Sequence, residues 1–356
     1  MMSQNRAHPR ISIIVPTFNR HDGLKRCLSS LFALSDTNIA NAELIVADNS
    51  PDANASDVFE TLTANAPLPC KYVSETAPGV SNVRNSALEI AEGSLVAWLD
   101  DDQTAEPGWL DELVKAHDVY GATVSFGPTL PVLPESTRKY RSYFTRFFER
   151  PQLPQDGLID AYFGCGHSLI DLVAIRQMLP ENAPLFDVEA NDLGGEDDRL
   201  FQMVLDKGGT IAWNRQAVAH EHPPAHRVKL SYTLQRSFVY GQGPSCSAIR
   251  RSPPDVPKLL YWMGVGVGQS TIYGLSALTL RILGDETWAN WADKAIRGVG
   301  KVLWFPPFQL RFYGAAYNQR KPNADQTSDL EEDMEAETLR EIEPATSGDK
   351  ASQPAN

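Results

Sequence analysis

The sequence predicts an α/β fold, a mostly parallel sheet flanked by helices, and three observations carry that prediction. Short apolar runs such as ISIIVP (residues 11–16), ELIVAD (43–48) and SLVAWL (94–99) have the length and β-branched content of strands buried on both faces. The segments between them carry apolar residues at helical spacing. Polar clusters then follow the first, second and fourth strands, which is where open α/β sheets bind ligands.

Taken in order, residues 11–16 form the first strand. Asp22 is placed to cap a helix in which Leu24, Leu28, Leu31 and Phe32 share a face. Residues 43–48 form the second strand and 55–64 a polar helix. Residues 70–73 form a short third strand. Residues 78–92 read as a helix with Val80, Val83, Ala87 and Ile90 on one side. Residues 94–99 form the fourth strand, and a helix over 108–117 begins just after Pro107, where proline is tolerated. Residues 131–160 are aromatic and basic without a clean period, and read as a helix or as a loop over the site. Beyond them come a strand or loop in YFGCGHSLI, a helix over 196–207, and a strand pair in TIAWN and AVAH.

Composition bounds the function. The chain has 356 residues, 42% hydrophobic and 22% charged, enough for one large domain or two ordinary ones. A net charge of −13 argues against nucleic acid as a partner, because phosphate backbones need a basic surface. From Arg320 onward ten acidic residues stand against four basic ones; residues 319–356 are expected to be a disordered acidic tail. Cys27, Cys70, Cys165 and Cys246 lie far apart, which suggests neither a zinc site nor a disulfide framework. The polar start MMSQNRAHPR precedes an apolar run too short for a signal sequence. A cytoplasmic setting is therefore expected.

Residues 259–280 carry no charge and are long enough to cross a bilayer, yet Gln269, Ser270, Thr271 and several glycines weaken the run. The stretch WANWADKAIRGVGKVLWF follows, with Trp beside Lys and Arg as in interfacial helices. Three readings stay open: contact with the inner-membrane surface, a helical pair packed on the domain or in a dimer, and a true span. The expected organisation is a catalytic domain over 1–250, a helical region over 251–318 that is membrane-associated in the first of these readings, and the tail.

The chemistry gathers at the strand ends. Pro16, Thr17 and Asn19 follow the first strand, Asp48 ends the second, and Asp100, Asp101 and Asp102 follow the fourth. Adjacent carboxylates repel by about 1 kcal/mol per pair at about 4 Å even in water. A divalent cation relieves that repulsion, and Mg²⁺ or Mn²⁺ favours such oxygens; a solvated acidic turn is the plainer alternative. Arg84 is placed to meet a phosphate or a carboxylate, or else lies on a helix surface. Glu196, Asp197 and Asp198 open a helix after Gly194-Gly195, where capping is the alternative to catalysis. His220 and His222, two apart on a strand, share a face from which they could reach a metal.

VPTFNR, VADNS, PGVSNVRNSAL, WLDDDQTAEPGWL and GGEDDRLF, in this order, resemble glycosyltransferase family 2. The stretch GGEDDRLFQMVLDKGGTIAWNRQAVAHEHPP is similar to bacterial exopolysaccharide glucosyltransferases of the succinoglycan type. The resemblance covers residues 10–250 and implies a GT-A fold, a nucleotide-sugar donor and inversion at the anomeric carbon. By position it implies that Pro16 and Thr17 line the nucleotide pocket, that Asp48 contacts the base, usually uracil, and that Asp100 contacts the ribose. It further implies that Asp102 holds the metal, that Asp197 of the Glu196-Asp197 pair is the general base, and that His220 matches a late histidine of unassigned role. Asp198 departs from the pattern, which often has a neutral residue there. The implied donor is a UDP-sugar such as UDP-glucose, and the acceptor a glycan or lipid-linked glycan. A nucleotidyltransferase is the rival enzyme, but VPTFNRHDG lacks its glycine-rich phosphate loop. A non-catalytic sugar-binding subunit of a polysaccharide assembly complex is the rival without chemistry.

Overall fold

The computed structural model describes residues 10–150, 152–191, 195–251 and 253–309; the expected tail over 319–356 lies outside them. Strand β1 (Ile11–Thr17) pairs in parallel with β2 (Ala42–Asp48) on one side and β4 (Leu95–Leu99) on the other, and β2 pairs in parallel with β3 (Cys70–Ser74). The unbroken apolar runs have the expected cause, since β2 and β4 are buried along their whole length between helices on both faces. Side chains of β1 divide by the two-residue period. Ile11, Ile13 and Val15 pack with Leu24, Leu28 and Leu31 of α1 (His21–Phe32) and with Trp109, Leu110 and Leu113 of α4 (Trp109–Tyr120). Ile14 packs on the other side with Val83 and Ala87 of α3 (Val80–Ile90), Trp98 and Phe201. Asp22 sits inside the first turn of α1, and the capping position falls to Arg20, whose side chain makes no capping bond.

The sheet departs from parallel pairing beyond β4. There comes β9 (His167–Asp171), antiparallel, then β6 (Val124–Phe126), β10 (Ile211–Trp213) and β8 (Gly157–Ile159), giving the eight-stranded order β3-β2-β1-β4-β9-β6-β10-β8. A second, three-stranded sheet holds β11 (Ala219–Glu221) between β5 (Gln103–Ala105) and β7 (Thr129–Pro131). The expected pairing of TIAWN with AVAH is therefore corrected: β10 and β11 belong to different sheets. Residues 131–160 resolve into α5 (Arg141–Phe148) and β8. Tyr143 and Phe144 of α5 pack with Leu133 and Ala289, which ties the catalytic layer to the C-terminal helices.

Three helices close the described chain: α8 (Leu230–Arg250), α9 (Val256–Ile282) and α10 (Trp288–Val302). Sequence reasoning misses α8, because Pro244 lies inside it and proline reads as a helix breaker. The three touch through small residues. A Cβ on Gly298 would lie 2.7 Å from the Ser270 nitrogen and 2.8 Å from the Gly266 oxygen, and one on Gly300 would run into the Phe238 oxygen. Several large side chains of α9 point outward, with Ile272 and Leu275 each 63% exposed and Ile282 76%. No described helix is long and apolar enough to cross a membrane.

The glycine seams lead to paired predictions. Gly298→Val overpacks the α9–α10 contact and should destabilise the protein by about 1–3 kcal/mol. Gly274→Ala, where an added methyl meets nothing within 4 Å, should stabilise by about 0.5–1 kcal/mol through helix propensity. Denaturant melts of the two variants test this, and equal midpoints would remove the seam.

Candidate functional site

The chain runs outward from β1 through β2 to β3 and then returns to β4 on the other side of β1, so a crevice opens at the carboxyl ends of β1 and β4. Asp101 closes the base of that crevice. It is 3% exposed, accepts the Thr17 hydroxyl proton at 2.8 Å and pairs with the Arg20 guanidinium at 2.7 Å. Asp102 takes the same guanidinium at 2.9 Å and Arg227 at 3.4 Å. Asp100 presses on Gly166, where a Cβ would run into its carboxylate. Burial, opposed by the pull of Arg84 and reinforced by Asp102 and Asp101, pushes the Asp100 carboxyl up to about 6.

A second acidic group comes from α7 (Glu196–Asp206), entered through Gly195 at φ +83°. Glu196 is buried and pairs with Arg84 at 2.7 Å; the Arg84 guanidinium also lies 5.2 Å from the Phe186 ring and 5.8 Å from the Trp98 ring. Arg84 is thus no surface residue, and its Nε is buried with no hydrogen-bond partner among the described residues. Asp197 is oriented by two backbone donors, the N–H of Cys165 at 3.1 Å and that of Asp198 at 2.9 Å. Asp198 is exposed, yet the concave wall, and then Asp197, push its carboxyl up to about 6.

These groups share one cavity of about 1520 Å³. Pro16, Thr17, Arg84, Asp100, Asp101, Asp102, Glu196 and Asp197 all line it. Asn19 and Asp48 stand behind it. Asn19, at φ +52°, accepts from the Asn54 amide at 2.7 Å and donates its backbone N–H to the Ser50 hydroxyl at 3.0 Å. Asp48 is 0% exposed, and its oxygens accept the Ser50 N–H, the Ala55 N–H and the Tyr72 hydroxyl. A base contact from Asp48 therefore requires one of these bonds to yield.

His220 and His222 both lie outside the cavity lining. The His220 Nε2 lies 2.5 Å from Glu106. His222 instead meets the Thr104 hydroxyl at 3.0 Å. The two-residue period sends Glu221, between them, into the cavity. There burial, and then Asp102, push its carboxyl up to about 8. Glu221 and Arg150 are the site residues that sequence reasoning missed. Arg150 donates to the carbonyls of His167 at 2.6 Å and Gly164 at 2.8 Å. Among the described residues no group of three acidic, cysteine or histidine side chains is placed to hold a metal ion. Asp102 and Glu221 both line the cavity, and one or two carboxylates are what Mg²⁺ takes where phosphate and water complete its shell.

Removing one partner of a buried ion pair leaves the other charged and dry. Arg84→Ala should therefore destabilise the fold by about 3–5 kcal/mol in urea unfolding. A loss under about 1 kcal/mol, the range of exposed pairs, would show that the pair does not hold α3 to α7.

Comparisons with known proteins speak to the family and the fold. The model of the family described as glycosyl transferase family 2 matches residues 12–177. The succinoglycan biosynthesis protein ExoM of Rhizobium meliloti is 30% identical over 233 residues, 65% of this chain and 73% of that protein. The validoxylamine A glucosyltransferase of Streptomyces hygroscopicus is 24% identical over 309 residues, 80% of this chain and 69% of that one. Among solved structures, the mannosyltransferase PcManGT of Pyrobaculum calidifontis, in complex with GDP-Man and Mn²⁺, superposes with a TM-score of 0.54 at 19% identity, covering 84% of this chain and 88% of its own. That likeness supports the GT-A fold. With sequence, site and fold in agreement, this chain belongs to glycosyltransferase family 2.

Proposed function

We propose that this chain moves glucose from UDP-glucose to an acceptor hydroxyl with inversion, and that the acceptor is a lipid-linked oligosaccharide of exopolysaccharide biosynthesis. One observation carries the reading: the acidic strand end of β4 and the oriented carboxylate of Asp197 line the same cavity. The relatives' names support the finer points, one from succinoglycan biosynthesis and one a glucosyltransferase.

In this reading Pro16 and Thr17 bound the nucleotide, Asp100 meets the ribose hydroxyls, and Asp48 and Asn19 shape the pocket from behind. Asp101 keeps the strand ends together. Asp102, with Glu221, would hold Mg²⁺ or Mn²⁺ against the diphosphate, in place of its ion pairs with Arg20 and Arg227. When bound, the ion supplies Lewis-acid neutralisation of charge on the leaving group. Arg84 adds a fixed positive charge beside the same group. Asp197 takes the acceptor hydroxyl proton as that oxygen bonds to the anomeric carbon. The bond from that carbon to the diphosphate oxygen breaks, and UDP leaves with the electron pair. Glu196 anchors Arg84 and so fixes the start of α7.

The exposed apolar face of α9 and the Trp–Lys pairs of α10 suit contact with a membrane surface. Lys294 lies 5.0 Å from the Trp291 ring and 5.4 Å from the Tyr273 ring. This contact would hold the cavity near a lipid-linked acceptor.

Three experiments test the reading. Asp197→Asn should lower transfer by about 10²–10⁴-fold, the usual contribution of a positioned base, and leave UDP-glucose affinity unchanged by calorimetry; lost affinity would reassign the residue to donor binding. Mg²⁺ or Mn²⁺ with UDP should raise the melting temperature of the wild type but not of Asp102→Ala, and full transfer in EDTA would refute metal use. Leu275→Glu with Leu278→Glu, both on the outward face of α9, should abolish co-sedimentation with phosphatidylglycerol vesicles while the helical circular dichroism persists. If the wild type stays in the supernatant, membrane contact is excluded.

A further inference from the structure

The cavity holds more than the donor needs. Its volume of about 1520 Å³ exceeds the roughly 300–1,000 Å³ of an ordinary small-molecule site. The strand-end part of its lining mixes carboxylates with cations such as Arg20, Arg84 and Arg150, and its far end is different in charge. The strand ends and α7 bring the carboxylates described above, whereas α8, the start of α9 and the link between them bring four charged side chains, all cationic: Arg236, Arg250, Arg251 and Lys258. In a protein of net charge −13 this is a local reversal of sign. Arg236 lies 4.9 Å from the Tyr240 ring and donates to the Tyr240 hydroxyl at 3.0 Å. Arg250, Arg251 and Lys258 are exposed at the cavity mouth, and none makes a salt bridge among the described residues. Asp255, the acid nearest in sequence, caps α9 by accepting the Lys258 backbone N–H at 3.0 Å and does not line the cavity. Tyr240 and Trp262 add aromatic surface to the same wall.

We propose that this wall is a second subsite, in which Arg250, Arg251 and Lys258 grip a phosphate or diphosphate ester carried by the acceptor. The proposal rests on the transferase reading above, since it assigns the part of the cavity that the donor leaves open. Guanidinium groups pair with phosphate oxygens in a bidentate fashion, and an ammonium adds a compact charge. An acceptor held by its anionic group presents its hydroxyl end toward Asp197, while Tyr240 and Trp262 give the adjoining part an apolar bed. The arrangement selects acceptors by a charge remote from the reacting hydroxyl.

The test uses the full chain and the triple variant Arg250→Ala, Arg251→Ala, Lys258→Ala. These side chains are exposed, so the melting temperature should be retained. Inorganic pyrophosphate is titrated calorimetrically into each protein in EDTA, with and without saturating UDP. The wild type should bind pyrophosphate whether or not UDP is present, and the variant about a hundredfold more weakly, as expected for losing several charge-assisted contacts. No binding by the wild type, equal binding by the variant, or displacement by UDP would overturn the subsite. UDP affinity measured separately with Mg²⁺ reports on the donor reading. If neither protein binds UDP, that reading fails while the pyrophosphate comparison still decides the subsite. Phosphatidylglycerol vesicles separate the sources of phosphate. A variant that loses vesicle binding but keeps pyrophosphate binding assigns the cations to a bilayer surface and rejects the proposal.

Discussion

The whole site depends on how one buried carboxylate joins two strand ends. Asp101 receives the hydroxyl of Thr17 from the end of β1 and the guanidinium of Arg20 from the start of α1, so the two halves of the switch point cannot drift apart. The residues on either side of it are then aimed by the chain itself. Asp100 turns back onto Gly166, and Asp102 turns toward Arg227 and the cavity. A charge this deep is tolerable only when it is paired and hydrogen-bonded. The bond network around Asp101 meets that demand, and Asp102 shares the Arg20 guanidinium and adds Arg227.

Much of this was legible in the sequence because the relevant information is local. β1, β2 and β4 are apolar runs, and α3 and α7 have clean helical spacing. The polar clusters that end the strands land in one crevice by the topology of parallel sheets alone. What was not legible depends on the third dimension. The two-residue period was applied to His220 and His222, but nothing in AVAHEH says which face of β11 looks inward, and Glu221 is the residue that does. Arg84 could be read as a surface residue because its partner lies 112 positions away. The N-terminus of α4 is capped by Asp36, which accepts from Gly108 at 2.8 Å across 72 positions. Helix α8 stays hidden for a related reason. Pro244 breaks no helix there, because close packing against α10 at Gly241 and Gly300 outweighs the local penalty.

The two ends of the cavity are built by different means. The strand-end half is rigid, with hydrogen-bonded carboxylates and a buried ion pair fixing α3 against α7. The α8–α9 half presents long cationic side chains at the mouth, free to adjust to what enters. A fixed reacting centre beside an adaptable outer wall matches a reaction in which one substrate is small and the other is extended, and catalytic geometry tolerates far less displacement than anchoring does.

The C-terminal helices invert the usual pattern of a globular protein. The buried positions of α8 and α10 are almost all small, among them Ser237, Gly241, Ser245, Ala289, Ala295, Gly298 and Gly300, while several bulky residues of α9 face outward. Where glycines bring the backbones together, as at Gly241, Gly298 and Gly300, dispersion between closely spaced main chains supplies part of the association. Apolar burial is what gives protein stability its strong curvature with temperature. Contacts made through glycine backbones bury less apolar surface than the aromatic-filled sheet, and so contribute less of that curvature.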